Sequence, residues 1–212
     1  LLGRKIRITG KGRCNVNNAS DLETIIKNIY RNGNFMYSSL YSFTNDDLMD
    51  LFRSFGLDLK TERGNRVFPV SDRAIDVVRT MEKMLDSQGV KIKTGARVKS
   101  LIIDQARTKG LVLADGKKIF ADKIILATGG KSYPLTGSTG DGYIMAQQCG
   151  HKVTSLYPSL IGMETIGEIK KELVGLNLRN ISIGLYKNNK KIYDDFGELE
   201  FRDYGLDGPV IK

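Results

Sequence analysis

ILATGGKSYPLTGSTGDGY, residues 125–143, is the stretch on which the fold turns. Read back to Lys123 it begins as KIILAT, a nearly continuous apolar run of the kind found in strands buried on both faces of a parallel sheet. The run stops at Gly129-Gly130, where the absence of Cβ atoms permits positive φ or the close approach of another backbone or a planar ligand. A lone Gly-Gly pair is most simply a strand-end turn. The Gly-Ser-Thr-Gly-Asp-Gly that follows, residues 137–142, argues for more, because ordering so many permissive residues costs entropy that a plain turn need not lose. Clefts at the carboxyl ends of parallel strands are where α/β sheets bind ligands. A Walker loop is excluded, since no Gly-Lys-Ser/Thr closes the spacing.

Upstream, RVKSLIID, GLVLA and KKIFA, with Asp115-Gly116 between the last two, predict a small antiparallel meander, and VKIKT (90–94) reads as a further strand before it. Ile75, Val78, Met81 and Leu85 predict a helix to Gln88, stopped by Gly89 and capped at Ser71 or Asp72. Thr44-Asn45-Asp46-Asp47 opens another, with Leu48, Leu51, Phe52 and Phe55 on one face and Gly56 at its end. Ser20 with Glu23 suggests a capping box for a helix to about Tyr30, and RNGNFMYSSLYSF (31–43) is too irregular to assign. Downstream of Ser155 the composition shifts to short strands, NISIGLY, KKIYD and GELEF, with turns at Asn188-Asn189 and Phe196-Gly197. The expected division is therefore a first domain over 1–155 and a β-rich second over 156–212.

The opening stretch, GRKIRITGKGRCNVNN (3–18), carries five Lys or Arg and no carboxylate. KIRIT alternates as a short strand would, and Gly10 and Gly12 break it. Backbone amides at Gly10, Lys11 and Gly12 form a candidate anion nest, with Arg4, Lys5 and Arg13 able to supply charge-assisted bonds to a pyrophosphate. A solvated basic turn accounts for the same residues, and they leave both readings open. As a nucleic-acid reader the stretch lacks the aromatics that base stacking requires.

The whole chain of 212 residues has a formal charge of +9 and 41% hydrophobic content, enough for an ordinary core and suited to an anionic partner. No apolar run is long enough to span a membrane as a helix. The two cysteines, Cys14 and Cys149, are too few for a disulfide framework and fit a reducing, cytoplasmic compartment. With His151 as the sole histidine and two isolated cysteines, neither a four-cysteine set nor a pair of cysteines with a pair of histidines can be assembled, and a His-based triad would have one candidate base and no marked nucleophile elbow. In its basic loop Cys14 has a setting that could lower its pKa, although a structural role is favoured over a redox one. The chain opens on Leu1-Leu2-Gly3 without Met and stops as an apolar run begins in YGLDGPVIK, which predicts a fragment.

With these motifs in view, GRKIRITGKGRCNVNN, ERGNRVFPVSD, ATGGKSYPLTGSTGDGY and GELEFRDYGLDGP, in that order, the chain resembles the bacterial FAD-dependent oxidoreductases that include aminoacetone oxidase and proposed bile-acid-converting flavoenzymes. Departures are small: Ile6-Arg7 replaces a usual Leu pair, Asn17 a common Thr, and FRDYGLDGP stands where FTHYGLSGP is typical. The resemblance implies an α/β (α+β) fold, part of a Rossmann-like FAD/NAD(P)-binding domain with an antiparallel meander, and the start of an inserted β-barrel domain. The Gly-x-Gly-x-x-Gly turn that such folds use for the pyrophosphate is not in this chain. It further implies that Arg4, Lys5, Thr9, Gly10, Gly12, Arg13, Cys14 and Asn15 run along FAD, and that Val98 offers its backbone to the adenine. Ala127, Thr128, Gly129 and Gly130 would form the turn beside the cofactor, with Gly140, Asp141 and Gly142 the helix entry behind it.

The expected function is oxidation or reduction of a small organic substrate through the flavin, electrons passing to oxygen or exchanged with NAD(P)H. No catalytic acid or base is assigned; Tyr37 and Tyr133 are candidates for a substrate pocket only as polar aromatics near the key segments, and packing is favoured for both. Two other readings stand beside it: a basic nucleic-acid-binding module, motivated by the charge although nucleic acid is not the expected partner, and a non-catalytic remnant of the flavoprotein fold. Oligomeric state is not encoded in any motif.

Overall fold

Five buried side chains, Cys14, Phe52, Leu57, Ala74 and Val77, hold the first third of the chain together. They come from four separate segments, so burying them fixes how those segments meet. The hairpin of β2 (Leu59–Glu62) and β3 (Arg66–Pro69) is flanked by the two-residue β1 (Asn17–Asn18), all antiparallel in the order β1-β3-β2. Its central strand is almost wholly enclosed, with Val67 at 0% exposure and Phe68 at 3%. These features belong to a computed structural model that describes residues 1–211.

Helix α1 (Leu22–Lys27) is capped by Asp21, whose carboxylate accepts from the Thr24 amide at 2.8 Å and its hydroxyl at 2.7 Å. The expected Ser20/Glu23 box is replaced because Glu23 is taken by the hydroxyls of Tyr37 and Tyr41, and the helix ends three residues before Tyr30. The unassigned stretch after it folds as a tight 3-10 turn, Gly33–Met36, running into α2 (Tyr37–Ser42). Helix α3 (Asn45–Ser54) has the predicted start, a full capping box between Thr44 and Asp47. It buries Met49 and Phe52, while Leu51 is turned outward.

Helix α4 (Ala74–Ser87) begins at Arg73 with no side-chain cap, because Asp72 is engaged by basic neighbours instead. Its buried residues are Ala74, Val77, Val78 and Thr80; Met81 and Leu85, placed on the inner face by periodicity, are more than a third exposed. The helix meets the opening segment, where Gly3, at φ +63°, lies so close to Val78 that a Cβ there would fall 2.5 Å from its Cγ2. KIRIT is not a strand. Residues Ile6–Gly12 form 3-10 turns interrupted at an extended Thr9 and left-handed Gly10 and Lys11, a shape set by local bonds such as Thr9 Oγ1 to the Ile6 carbonyl at 2.8 Å.

The meander is present as β4 (Val98–Asp104), β5 (Arg107–Leu113) and β6 (Lys118–Phe120), antiparallel in chain order, with Asp115 accepting from the Lys117 amide in the hairpin turn. VKIKT is not part of it. KIILAT is not a paired strand either: among the described residues no strand hydrogen-bonds to 123–128, and Ile125 is 91% exposed. Its two apolar faces are those of an inner strand, but a parallel strand exists only between neighbours, and none of the three sheets offers it one. Helix α5 (Asp141–Gln148) follows the glycine-rich turn and ends before Gly150 at φ +84°.

The chain divides into units Leu1–Val153 and Thr154–Lys212. The second is an antiparallel sheet of β7 (Met163–Glu164), β8 (Asn177–Lys187), β9 (Lys190–Arg202) and β10 (Gly205–Asp207), ordered β7-β10-β9-β8. Asn188 and Asn189, both at positive φ, make the predicted turn. The turn expected at Phe196-Gly197 does not form. β9 runs straight through, since both residues pair with β8 and the missing Gly197 side chain leaves room for Val210. Among the described residues no helix is long and apolar enough to cross a membrane.

Phe52 is 5% exposed within the five-residue core. Phe52→Ala is expected to cost about 3 kcal/mol in urea unfolding, the loss typical of truncating a buried ring. A cost under about 1 kcal/mol would place the core elsewhere.

Candidate functional site

The glycine turn is shaped by helix α5, whose first residues approach it more closely than a side chain would allow. A Cβ on Gly142 would overlap the Thr128 hydroxyl, and one on Gly130 would fall 3.6 Å from the Tyr143 hydroxyl. Gly129 and Gly140 lie at φ +74° and +85°, in the left-handed region that favours glycine. Ala127, Thr128, Gly129 and Gly130 are thus brought against Gly140, Asp141 and Gly142. Ala127, Thr128 and Gly129 remain exposed, so their main chain is accessible from outside.

Two polar tethers bring distant segments to this turn. Arg97 donates to Asp141 Oδ2 from Nη2 at 3.2 Å and Nε at 3.3 Å, which sets Val98, the first residue of β4, beside the helix entry. Lys5 Nζ donates to the Ser132 carbonyl at 2.6 Å, joining the opening segment to the turn. Arg4 is exposed close by in sequence. Arg97 and Ser132 carry these links and had no part in the sequence-based set. The basic residue directly before Val98 was the available signal for the first; a carbonyl acceptor leaves no trace in sequence.

The rest of the opening segment is turned toward the β2–β3 hairpin. Arg13 donates to Glu62 Oε1 and, from Nε at 2.8 Å, to Asp72 Oδ1, and its guanidinium lies 4.2 Å from the centre of the Phe68 ring. Lys60 joins Asp72 at 2.6 Å. Arg13 holds the Glu62 carboxyl below its ordinary range, and Lys60 followed by Arg13 does the same to Asp72. In this arrangement Arg13 neutralises carboxylates of its own chain, whereas the expectation gave it a pyrophosphate. Thr9 and Gly10 supply the carbonyls that the Cys14 and Arg13 amides bond. Gly12 is exposed at φ +85°. The Asn15 amide nitrogen, in the orientation that satisfies its neighbours, donates to the carbonyls of Val67 at 3.2 Å and Asn17 at 2.9 Å.

Cys14 is buried, and loss of hydration pushes its thiol up, against a smaller opposing pull from the Thr9 hydroxyl. The basic surroundings that suggested a lowered pKa do not reach it, because the backbone turns Sγ into the core. Cys149 and His151 instead border an open cleft of about 1170 Å³ together with Arg107, Lys109, Phe120 and Leu126. Tyr133 has left-handed backbone angles and a 67% exposed ring; the Tyr37 hydroxyl is held by Glu23, remote in sequence from the glycine turn.

Iodoacetamide at neutral pH is expected to label Cys149 well before Cys14 in the native protein, as read by peptide mass spectrometry; equal rates would contradict the buried thiol. The Arg13 cluster sets a pH dependence whose sign follows from the lowered carboxyls. Its stabilisation is complete above the ordinary carboxylate range, about pH 4, and is lost as pH falls through the lowered values. Arg13→Gln should therefore separate from wild type most at pH 7 in thermal unfolding, the gap closing in acid, and a gap that widens in acid would refute it.

Over residues 1–188 the sequence matches the family described as HI0933-like protein Rossmann domain. It is 33% identical over 215 residues to the 3-dehydro-bile acid delta(4,6)-reductase of Clostridium scindens, a match covering 100% of this chain and 50% of that protein. It is 26% identical over 212 residues to the ribosomal RNA dihydrouridine synthase of Haemophilus influenzae, covering 99% of this chain and 51% of the other. The corresponding enzyme of Escherichia coli is 27% identical over 212 residues, with 99% and 50% covered. The chain spans about half the length of these relatives. An α/β chain matched over most of its length, with its glycine turn seated on a helix N-terminus, belongs to the HI0933-like Rossmann-domain family.

Proposed function

We propose that this chain supplies part of a FAD cradle in a cytoplasmic reductase that saturates a carbon–carbon double bond conjugated to a carbonyl. The observation that carries the reading is the convergence of Thr128–Gly130, Gly140–Gly142 and Lys5 at one exposed backbone turn. A flavin dinucleotide asks for main chain that can be approached without interfering Cβ atoms and for cations near its diphosphate. The residues fit that demand at Ala127–Gly130 and at the exposed Arg4; Lys5 already bonds the Ser132 carbonyl, Val98 is paired with Leu113 at the start of β4, and Arg13 falls outside the site, committed to Glu62 and Asp72.

The direction of the reaction is drawn from the relatives. A dihydrouridine synthase and a delta(4,6)-reductase share one transformation by name, the reduction of a ring double bond. Held at Ala127–Gly130, a flavin in its reduced form would supply the hydride chemistry, its two electrons drawn from NAD(P)H. The chain's own residues fix the turn that would hold the cofactor: Asp141 is held by Arg97, so the helix entry does not drift, and Lys5 clamps the Ser132 carbonyl. The oxidase direction, with oxygen as acceptor, has no support from these names.

In the full-length protein, anaerobic NADPH should bleach the flavin, and a cyclic enone or a uridine-containing RNA should restore its colour. Restoration by oxygen alone, or a protein purified without flavin, would sink the proposal. Gly142→Ala should lower flavin occupancy several-fold by displacing Thr128, and Thr128→Ala in the same chain should recover part of it, both read from the visible spectrum. Unchanged occupancy in Gly142→Ala would remove that turn from the cradle.

A further inference from the structure

The glycine-rich stretch 125–143 contains one carboxylate, Asp141, and it sits at the turn to which the flavin reading brings a diphosphate. The residues on either side of it are pressed against that turn. A Cβ on Gly142 would overlap the Thr128 hydroxyl, and one on Gly140 would fall 3.4 Å from the Lys131 side chain. Asp141 is the first residue of α5, where helix amides favour negative charge before any ligand arrives. A diphosphate brought to the same place meets a like charge and is repelled. Among the described residues Arg97 is the cation that answers it. Its Nε at 3.3 Å and Nη2 at 3.2 Å both donate to one carboxylate oxygen, Oδ2.

Arg97 belongs to another element, and its backbone is fixed independently of α5. Its carbonyl accepts from the Ala114 amide at 2.8 Å, and the next residue, Val98, pairs with Leu113 in the meander. The guanidinium is therefore reached across to the helix entry from a separate support. As a stabiliser of the fold this pair is weak, because the Arg97 side chain is 72% exposed and water screens an ion pair of that kind. What the pair changes is local charge. With Asp141 cancelled, the side chains left beside the turn are those of Lys5, bonded to the Ser132 carbonyl, and Lys131, against Gly140, and both are positive. We propose that Arg97 is a positioning residue of the cradle, acting through Asp141 to admit the cofactor diphosphate by cancelling the carboxylate's charge. The inference rests on the flavin reading above. It requires no contact between Arg97 and the cofactor, and it gives an exposed ion pair a role that its small contribution to stability does not supply.

The test uses the full-length protein, stripped of flavin and titrated with FAD, its affinity read from flavin fluorescence at about 50 mM and about 500 mM salt. Arg97→Gln should weaken FAD about ten-fold at the lower salt, the repulsion of one bare carboxylate for a diphosphate. At the higher salt the deficit should shrink to about three-fold or less, because screening shortens its reach. Asp141→Asn should bind FAD at least as tightly as wild type. The double variant Arg97→Gln/Asp141→Asn should return to within about three-fold of wild type, the non-additivity expected of two coupled charges. Arg97→Lys, which keeps the charge and loses the fork, should do the same. Thermal unfolding of the flavin-free variants should match wild type. A double variant as weak as Arg97→Gln, a weaker Asp141→Asn, or a deficit unmoved by salt would make the pair a mechanical tether and overturn the proposal. Wild-type affinity in Arg97→Gln, or its early unfolding, would overturn it as well. In each of those cases a wild type that binds FAD leaves the cradle standing, whereas a wild type that binds none rejects the cradle and this inference together.

Discussion

The way the opening stretch joins the β2–β3 hairpin and α4 depends on what Arg13 does with its charge. Its guanidinium sits over Phe68 and bonds one carboxylate on each side, Glu62 from the end of β2 and Asp72 from the turn before α4. Those carboxylates come from different segments, so a single cation ties the opening stretch to both ends of the hairpin. Cys14, the next residue, is thereby carried into the core with Phe52, Leu57, Ala74 and Val77. Surface ion pairs usually contribute little, but a bidentate arginine that also covers a ring has far fewer ways to relax than a lone pair. The opening stretch is consequently fixed at its middle, and its earlier half is left to reach the glycine turn through Lys5.

The division of labour along that stretch explains how a strongly basic run can be largely structural. Arg7 donates to the Leu2 carbonyl, Arg13 to carboxylates and Lys5 to the Ser132 carbonyl, so three of its cations bond to the protein itself. A count of basic residues overstates how much charge faces a ligand. The reverse holds between Thr24 and Asn45, where Lys27 and Arg31 stand among exposed rings with no carboxylate in the segment, and Glu23 just before it accepts from two tyrosine hydroxyls. Local partnering, more than net charge, decides which surface of a basic protein attracts an anion.

Elements defined by local rules were legible in the sequence. The helix start at Thr44 and the Asp115-Gly116 and Asn188-Asn189 turns depend on a few adjacent residues, and the structure has all of them. Elements that depend on distant partners were not. Glu23 was read as a cap because Tyr37 and Tyr41 lie fourteen and eighteen residues away. Phe196-Gly197 was read as a turn because nothing local shows that β8 pairs through it. In the site, the glycines that allow close approach were visible as glycines, whereas the Arg97–Asp141 and Lys5–Ser132 tethers join positions 44 and 127 residues apart and have no sequence signature.

The unpaired run at 123–128 has a consequence beyond the site. Ile124, Ile125 and Leu126 combine β-branched and apolar side chains with a main chain that belongs to no ladder among the described residues. Such a run is a template for any strand of compatible length, since its amides and carbonyls must otherwise be satisfied by water on both sides. Flanking lysines at 117, 118, 123 and 131 act as gatekeepers, setting like charges at the ends of the segment so that two copies repel as they align. Salt, by screening those lysines, would weaken that repulsion.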